Sequence, residues 1–322
     1  MTAMANGETP STGRALPAPD DPAAASRCAT ALRKFSAIRV PYGPQNAVAA
    51  RISVLHQRSL GGRGKPMKGL SLSQVSQAGK SFLLQCCRND IMAQSELLNG
   101  RPNPHQVLYL GLEVRITVTM MCRHLLRLLG DPHYRKGNTD DVKLRTRELM
   151  EARGVELLII DEAQHLVRET NQNADVTDEL KRFLDAGIVP VVMAGNEESR
   201  ELFVRNTQLA SRLGVPLELS PVDARQGGQK SDFKTFCHDL DARMFACGCT
   251  RTLSGFTASA QISCLLRASG GHIGRVCRIV EAALEQASLR DADFVELYDL
   301  AFAVDSFAIP QRYTAVNPFR RV

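Results

Sequence analysis

Between residues 69 and 193, four short apolar runs alternate with longer stretches of helical periodicity. The runs are Gly69–Ser73, Gln106–Leu112, Glu156–Ile160 and Ile188–Met193, and the helical stretches lie near Lys80–Leu97, Val118–Leu129, Val142–Ala152 and Val176–Ala186. Strands joined through crossover helices pair in parallel, so the alternation predicts an α/β fold with a parallel sheet flanked by helices. Gly130, Gly154 and Gly187 stand where the helices should stop, and Pro190, which has no N–H to give a ladder, fits only near the start of its strand. After Pro221 the pattern becomes helical throughout, near Asp232–Phe245, Thr257–Ala268, Ile273–Ser288 and Phe294–Val304, with Asp291 as the expected cap of the last helix. The expected organisation is an α/β domain over 67–221, a small all-α domain over 222–306 and a C-terminal tail over 307–322.

Ahead of these, residues 1–26 are rich in Pro, Ala, Ser, Thr and Asp and show no apolar periodicity, so they read as a disordered tail. Residues 27–66 read as a basic helical segment, in which Val48, Ile52 and Leu55 fall at helical spacing before the glycine-rich link Gly61–Pro66. From Pro22 through Asn89 there is no acid, against eleven basic residues: Arg27, Arg33, Lys34, Arg39, Arg51, Arg58, Arg63, Lys65, Lys68, Lys80 and Arg88. Removing these from the 40 basic residues leaves 29 against 34 acids elsewhere, so the positive field belongs to the first quarter of the chain. Such a block suits a polyanion such as nucleic acid, whose counterions it displaces, and equally suits a solvated basic face.

No run approaches the roughly 18 apolar residues that a membrane span needs, and the N-terminus lacks a basic-then-apolar leader, so a cytoplasmic protein is expected. Nine cysteines, two of them the neighbours Cys86 and Cys87, make no disulfide framework and imply reduced thiols. Cys237, His238, Cys247, Cys249 and Cys264 lack the paired spacing of a zinc site.

The chemistry-bearing residues stand at the ends of the apolar runs. After the first run, Gln74-Val75-Ser76-Gln77-Ala78-Gly79-Lys80-Ser81 matches the end of Gly-x-x-x-x-Gly-Lys-Ser/Thr. In that loop, backbone N–H groups and a helix N-terminus cradle phosphates, the lysine reaches the β and γ oxygens, and the hydroxyl ligates magnesium. Ser76, Gln77, Ala78, Gly79, Lys80 and Ser81 are therefore candidates for nucleotide binding. Gln74 replaces the first glycine, so the loop entry must use a backbone conformation open to a residue with a side chain.

The third run, Leu157–Ile160, ends in Asp161-Glu162 at the carboxyl edge, where ligands bind in open α/β sheets. Asp161 is the second candidate for the magnesium shell with Ser81, and Glu162 for orienting and polarising an attacking water. Asn196, after the fourth run, is a candidate γ-phosphate sensor as well as a cap for a helix over Glu197–Val204. Arg212, with Arg205 in reserve, is a candidate for stabilising transferred phosphoryl charge across a subunit boundary, and Arg275 for reading the nucleotide from the helical domain. His165 reads as an interface or supporting residue rather than a metal ligand.

These segments together resemble one family, the TniB and TnsC transposition ATPases, related to MuB and to the initiator and helicase-loader AAA+ group. The resemblance is carried by Ser76–Ser81, Leu128-Leu129-Gly130-Asp131-Pro132, Leu157–Leu166 (LLIIDEAQHL), Val191–Asn196, Gln208–Arg212, Gly270–Arg275 and Asn317-Pro318-Phe319, spread over roughly 35–320. It implies a P-loop AAA+ ATPase whose all-α domain is a lid, with ATP and Mg2+ as cofactors. It further implies a homo-oligomer on double-stranded DNA that marks a target site and recruits a DDE transposase, with nucleotide between subunits and Arg212 given by a neighbour. Two other classes share the motifs: a nucleotide-gated DNA-binding scaffold with negligible turnover, and a helicase loader or remodeller. The intact Asp161-Glu162 pair favours hydrolysis over the scaffold.

Overall fold

In a computed structural model, which describes residues 21–167 and 171–321, the chain forms two compact units. Gly43–Ser220 makes one, and the segments up to Tyr42 and from Pro221 onward make the other. The expected 27–66 segment is therefore divided: α1 (Pro22–Ser36) belongs with the C-terminal helices and α2 (Gly43–Leu60) with the sheet. Residues 22–26, expected within the disordered tail, are helical, and the tail's residues 1–20 lie outside the described residues. Asp21 caps α1 by accepting the Ala23 N–H at 2.9 Å, and Ala24, Cys28, Ala31 and Phe35 form its buried face. That stripe is mostly alanine and cysteine, too weakly apolar to stand out in a Pro- and Ala-rich stretch.

The sheet unit continues through β1 (Leu70–Ser73), α3 (Lys80–Asn99), β2 (Val107–Gly111), α4 (Val118–Leu128), α5 (Thr139–Ala152), β3 (Leu157–Asp161), α6 (Asn171–Asp185), β4 (Val191–Gly195), α7 (Ser199–Arg205) and α8 (Thr207–Ala210). All neighbouring strands pair in parallel, in the order β1-β4-β3-β2. Beyond β1, residues Leu213 and Leu217 bridge to Gly69 and Leu72, extending its free edge. The fourth strand begins at Val191 rather than Ile188 because Pro190 offers only its carbonyl, which accepts the Leu158 N–H at 3.0 Å.

β1, β3 and β4 are buried along their whole length, as parallel strands covered on both faces must be. Alternate residues serve opposite faces. Leu108, Leu110, Leu158, Ile160, Val191 and Met193 share one core with α4, α5 and α6, whereas Leu72, Leu157, Ile159 and Val192 share the other with α2 and α3. Glu179 of α6 is fully buried and takes the Arg147 guanidinium of α5 bidentately, at 2.6 and 2.9 Å from Nη2. This packing fixes a register in which Ser73 lies beside Gly195 and Gly111 beside Asp161, aligning the strand tips at one edge.

The helical unit contains α1, α9 (Gly227–Ala246), α10 (Ser259–Ser269), α11 (Ile273–Leu289) and α12 (Leu297–Ala303) around Phe233, Phe236, Phe256, Leu265, Ile279 and Leu300. Asp291 does not cap the last helix. It takes a left-handed turn at φ 58°, and Glu296 is the cap, in a reciprocal box with Asp299. Residues 307–321, expected as a tail, pack into this core through Tyr313 and Phe319, and the Asn317 side chain donates to the Ala301 carbonyl at 2.8 Å.

Candidate functional site

The loop between β1 and α3 prolongs the sheet before it turns. Gln74 is buried, and its N–H donates to the Gly195 carbonyl at 3.2 Å, continuing the pairing of β1 with β4. Its backbone is not left-handed, as expected for the residue in the first-glycine position; the left-handed residues are Gln77, at φ 62°, and Gly79, at φ 96°. These two reversals direct the chain into α3, a 20-residue helix whose first N–H groups have no partner within the helix, an arrangement that suits an anion.

Lys80 opens that helix, and its side chain folds back so that Nζ donates to the carbonyls of Gln74 (2.9 Å) and Val75 (2.8 Å). Burial pulls the ammonium below its ordinary value, opposed by the negative charges of Asp161, Glu162 and Glu197. The ammonium therefore stands among loop oxygens and carboxylates.

Ser81 donates from Oγ to Asp161 Oδ2 at 2.6 Å, so two residues 80 positions apart meet as hard oxygen donors. Such a set suits a magnesium ion bound together with a nucleotide. Tyr109 of β2, which sequence reasoning missed, donates its hydroxyl to the same Oδ2. Burial, followed by that bond to Asp161, raises the phenol far above its usual value and keeps it a donor. The other carboxylate oxygen, Oδ1, accepts the Glu162 N–H at 2.8 Å. A phenol at the centre of the apolar run Val107–Gly111 was the available signal.

Glu162 is exposed in a left-handed turn at φ 62° that carries the chain off β3 into the short 3-10 turn Ala163–Leu166. Its carboxylate accepts from Gln164 Nε2, and Gln164 Oε1 accepts the Asn196 N–H at 3.0 Å. Gln164 is a second residue the sequence reading did not assign, although it falls within DEAQHL. Asn196 lies at the β4 tip, and its Oδ1 accepts the Glu198 N–H at 3.0 Å. The following helix starts at Ser199, and Glu198 before it is already in helical backbone with no side-chain cap bond, so the capping oxygen at the helix entry is that of Asn196, as expected.

Lys80, Ser81, Asp161, Glu162 and Asn196 thus gather at the carboxyl edge, with Ser76, Gln77 and Ala78 in the loop between them. Arg212 does not join them within its own chain. Its carbonyl accepts the Gly69 N–H at 3.0 Å, at the amino edge of the sheet, across the length of β1 from the loop. Its Nε donates to Asp185 Oδ1 at 2.6 Å, and this hydrogen bond draws the Asp185 carboxyl below its ordinary range. Arg205 pairs with Glu201 at 3.2 Å on α7. Arg275 belongs to the helical unit, in the first turn of α11, with its guanidinium 4.7 Å from the centre of the Tyr313 ring.

The model of the family described as Bacterial TniB protein matches residues 40–220, more than half of the chain. A comparison with curated protein sequences finds no match. Among solved structures, the Aeropyrum pernix ORC1 protein in complex with DNA is similar at a TM-score of 0.62 and 16% identity, over 87% of this chain and 69% of that one. The Aeropyrum pernix ORC2 protein in its ADPNP–ADP complexes gives 0.61 at 16% identity, over 85% and 71%. The Drosophila ORC bound to DNA gives 0.53 at 17% identity, over 93% and 70%. The shared fold is that of the AAA+ ATPases, with a four-stranded parallel sheet, flanking helices and a helical C-terminal region. No helix among the described residues is long and apolar enough to cross a membrane.

Proposed function

We propose, starting from the fact that this chain belongs to the TniB family, that it is an ATP-hydrolysing regulator of transposition. The observation that carries this reading is the meeting of Ser81 Oγ with Asp161 Oδ2 at 2.6 Å beside the Lys80 loop, with the Glu162 carboxylate exposed one residue further on. These positions support the following residue roles. The loop amides of Ser76–Gly79 and the α3 N-terminus hold phosphate oxygens, and Lys80 exchanges two loop carbonyls for them. Ser81 and Asp161 hold Mg2+, which offsets phosphate charge when bound, while Tyr109 orients the Asp161 carboxylate. Glu162 orients and polarises water as general base, and Asn196 stands at the γ-phosphate end. Arg212, at the opposite edge of its own sheet, serves the nucleotide of an adjacent subunit, and Arg275 reports nucleotide state to the helical unit.

The same reading has the protein assemble on duplex DNA through phosphate contacts with little base readout, mark a target site and recruit a DDE transposase. The named DNA complexes of proteins with this fold support the DNA part of it. The test is a nucleotide-binding and DNA-stimulated hydrolysis assay on three proteins. Lys80→Ala removes charge-assisted bonds to phosphate and weakens ATP binding about a hundredfold. Arg212→Ala keeps ATP binding and loses turnover that depends on assembly. Wild-type affinity in Lys80→Ala excludes this loop as the nucleotide site.

A further inference from the structure

We propose that Gln164 is a positioning residue for Glu162, its side-chain amide clamping the glutamate carboxylate to the tip of β4 at Asn196. The proposal rests on the reading of Glu162 as the residue that orients water. Three observations converge on the amide. Nε2 donates to the Glu162 carboxylate, Oε1 accepts the Asn196 N–H at 3.0 Å, and a Cβ added at Gly195 would stand only 2.8 Å from that same Oε1. The amide's orientation follows from chemistry: a backbone N–H can only donate, so the oxygen faces Asn196 and the NH2 faces the carboxylate. Both ends of the side chain are used, and the amide together with Ser199 closes the space that a side chain at residue 195 would need.

The turn that carries Gln164 is built to hold it still. The His165 N–H donates to the Glu162 carbonyl at 3.0 Å and the Val167 N–H to the Gln164 carbonyl at 3.0 Å, while Ala163 and Leu166 anchor the turn in the core. The left-handed backbone at Glu162 brings side chains 162 and 164 to the same side. From Asn196 the connection continues: its carbonyl accepts from Ser199 Oγ at 2.6 Å, and Ser199 Oγ shares a 2.6 Å hydrogen bond with Ser73 Oγ at the tip of β1. Glu162 is thus linked through Gln164 to the two strand tips that border the phosphate loop, and a displacement of the β4 tip moves the carboxylate with it.

Two substitutions separate the halves of the clamp. Gln164→Glu keeps the shape and the acceptor for the Asn196 N–H but loses the donor to Glu162, whereas Gln164→Ala loses both. The full-length protein with Mg-ATP and duplex DNA is assayed for kcat and KM, and amide hydrogen exchange is followed across residues 195–199. We expect kcat to fall at least about tenfold in both variants with KM for ATP little changed, since misplacing a reacting group acts on the chemical step. Exchange at Asn196 rises in Gln164→Ala and stays at the wild-type rate in Gln164→Glu. If both variants keep kcat within about twofold of wild type while Glu162→Gln abolishes turnover, the clamp is overturned and the hydrolysis reading stands. If Glu162→Gln itself turns over normally, the hydrolysis reading fails, and the exchange data alone judge the link: an unchanged rate in Gln164→Ala overturns it, and an accelerated one upholds it.

Discussion

At residue 77 the backbone takes a left-handed conformation, φ 62°, that costs an ordinary L-residue about 1–2 kcal/mol. The glycine missing from the motif at position 74 draws attention in the sequence, yet Gln74 lies in ordinary backbone and is held to Gly195 as an extension of β1. Restoring glycine at 74 is therefore expected to loosen the loop, by about 0.5–1 kcal/mol, without improving ATP affinity. Gln77→Gly keeps the thermal midpoint within error of wild type or raises it, and Gln77→Val lowers it, because a β-branched residue tolerates that conformation worst. Thermal denaturation of the three variants checks this order. The residues that gather at the carboxyl edge were legible where the motif names them, at Lys80, Ser81, Asp161 and Glu162. Tyr109 and Gln164 were not, because Tyr109 meets Asp161 only across paired strands and Gln164, beside Glu162 in sequence, meets the β4 tip only in the fold.

Elements were legible where their periodicity is strong and blurred where their ends depend on caps. β3 is an unbroken apolar run with an acid at its tip and emerges within one residue of its expected bounds, whereas β4 starts three residues later than expected because Pro190 cannot join the ladder. The last helix was given the wrong cap, since Asp is a favoured cap residue and Glu is not, and only the reciprocal bonds of Glu296 and Asp299 reveal the cap that is used. That box also holds a buried ion pair: Asp299 is fully buried and accepts from Arg290 Nη2 at 2.8 Å with each carboxylate oxygen. Asp299→Ala leaves the buried Arg290 guanidinium with only the more exposed Glu296 and breaks half of the capping box, and is expected to destabilise the helical unit by about 3 kcal/mol. Chemical denaturation followed by circular dichroism measures it, and a loss under about 1 kcal/mol contradicts the pairing's importance.

For the whole molecule, composition indicated a basic first quarter but not how it is distributed. Its cations divide between two units, and several satisfy carbonyls: Arg51 donates to Val215 (2.7 Å), Arg63 to Val155 (2.8 Å) and Lys68 to Ser211 (2.8 Å). The block is therefore partly a set of backbone ties. Arg33, Lys34 and Arg39 remain exposed in the helical unit, where Lys34 also reaches the Gly248 carbonyl at 3.1 Å. Reversing these three charges is expected to weaken duplex binding and flatten its salt dependence by about three units of slope. Unchanged affinity at low salt returns them to a solvated face. The change of pattern after Pro221 marks where the helical unit resumes, but α1's place in that unit escaped the sequence, because α1 joins helices at the far end of the chain through contacts that no local pattern records. The central claim, that this edge of the sheet hydrolyses ATP, is tested most directly by Glu162→Gln in a DNA-stimulated ATPase assay run beside an ATP-binding measurement. The account predicts wild-type binding, turnover reduced at least about a hundredfold and protein retained on DNA. Normal turnover by Glu162→Gln contradicts it.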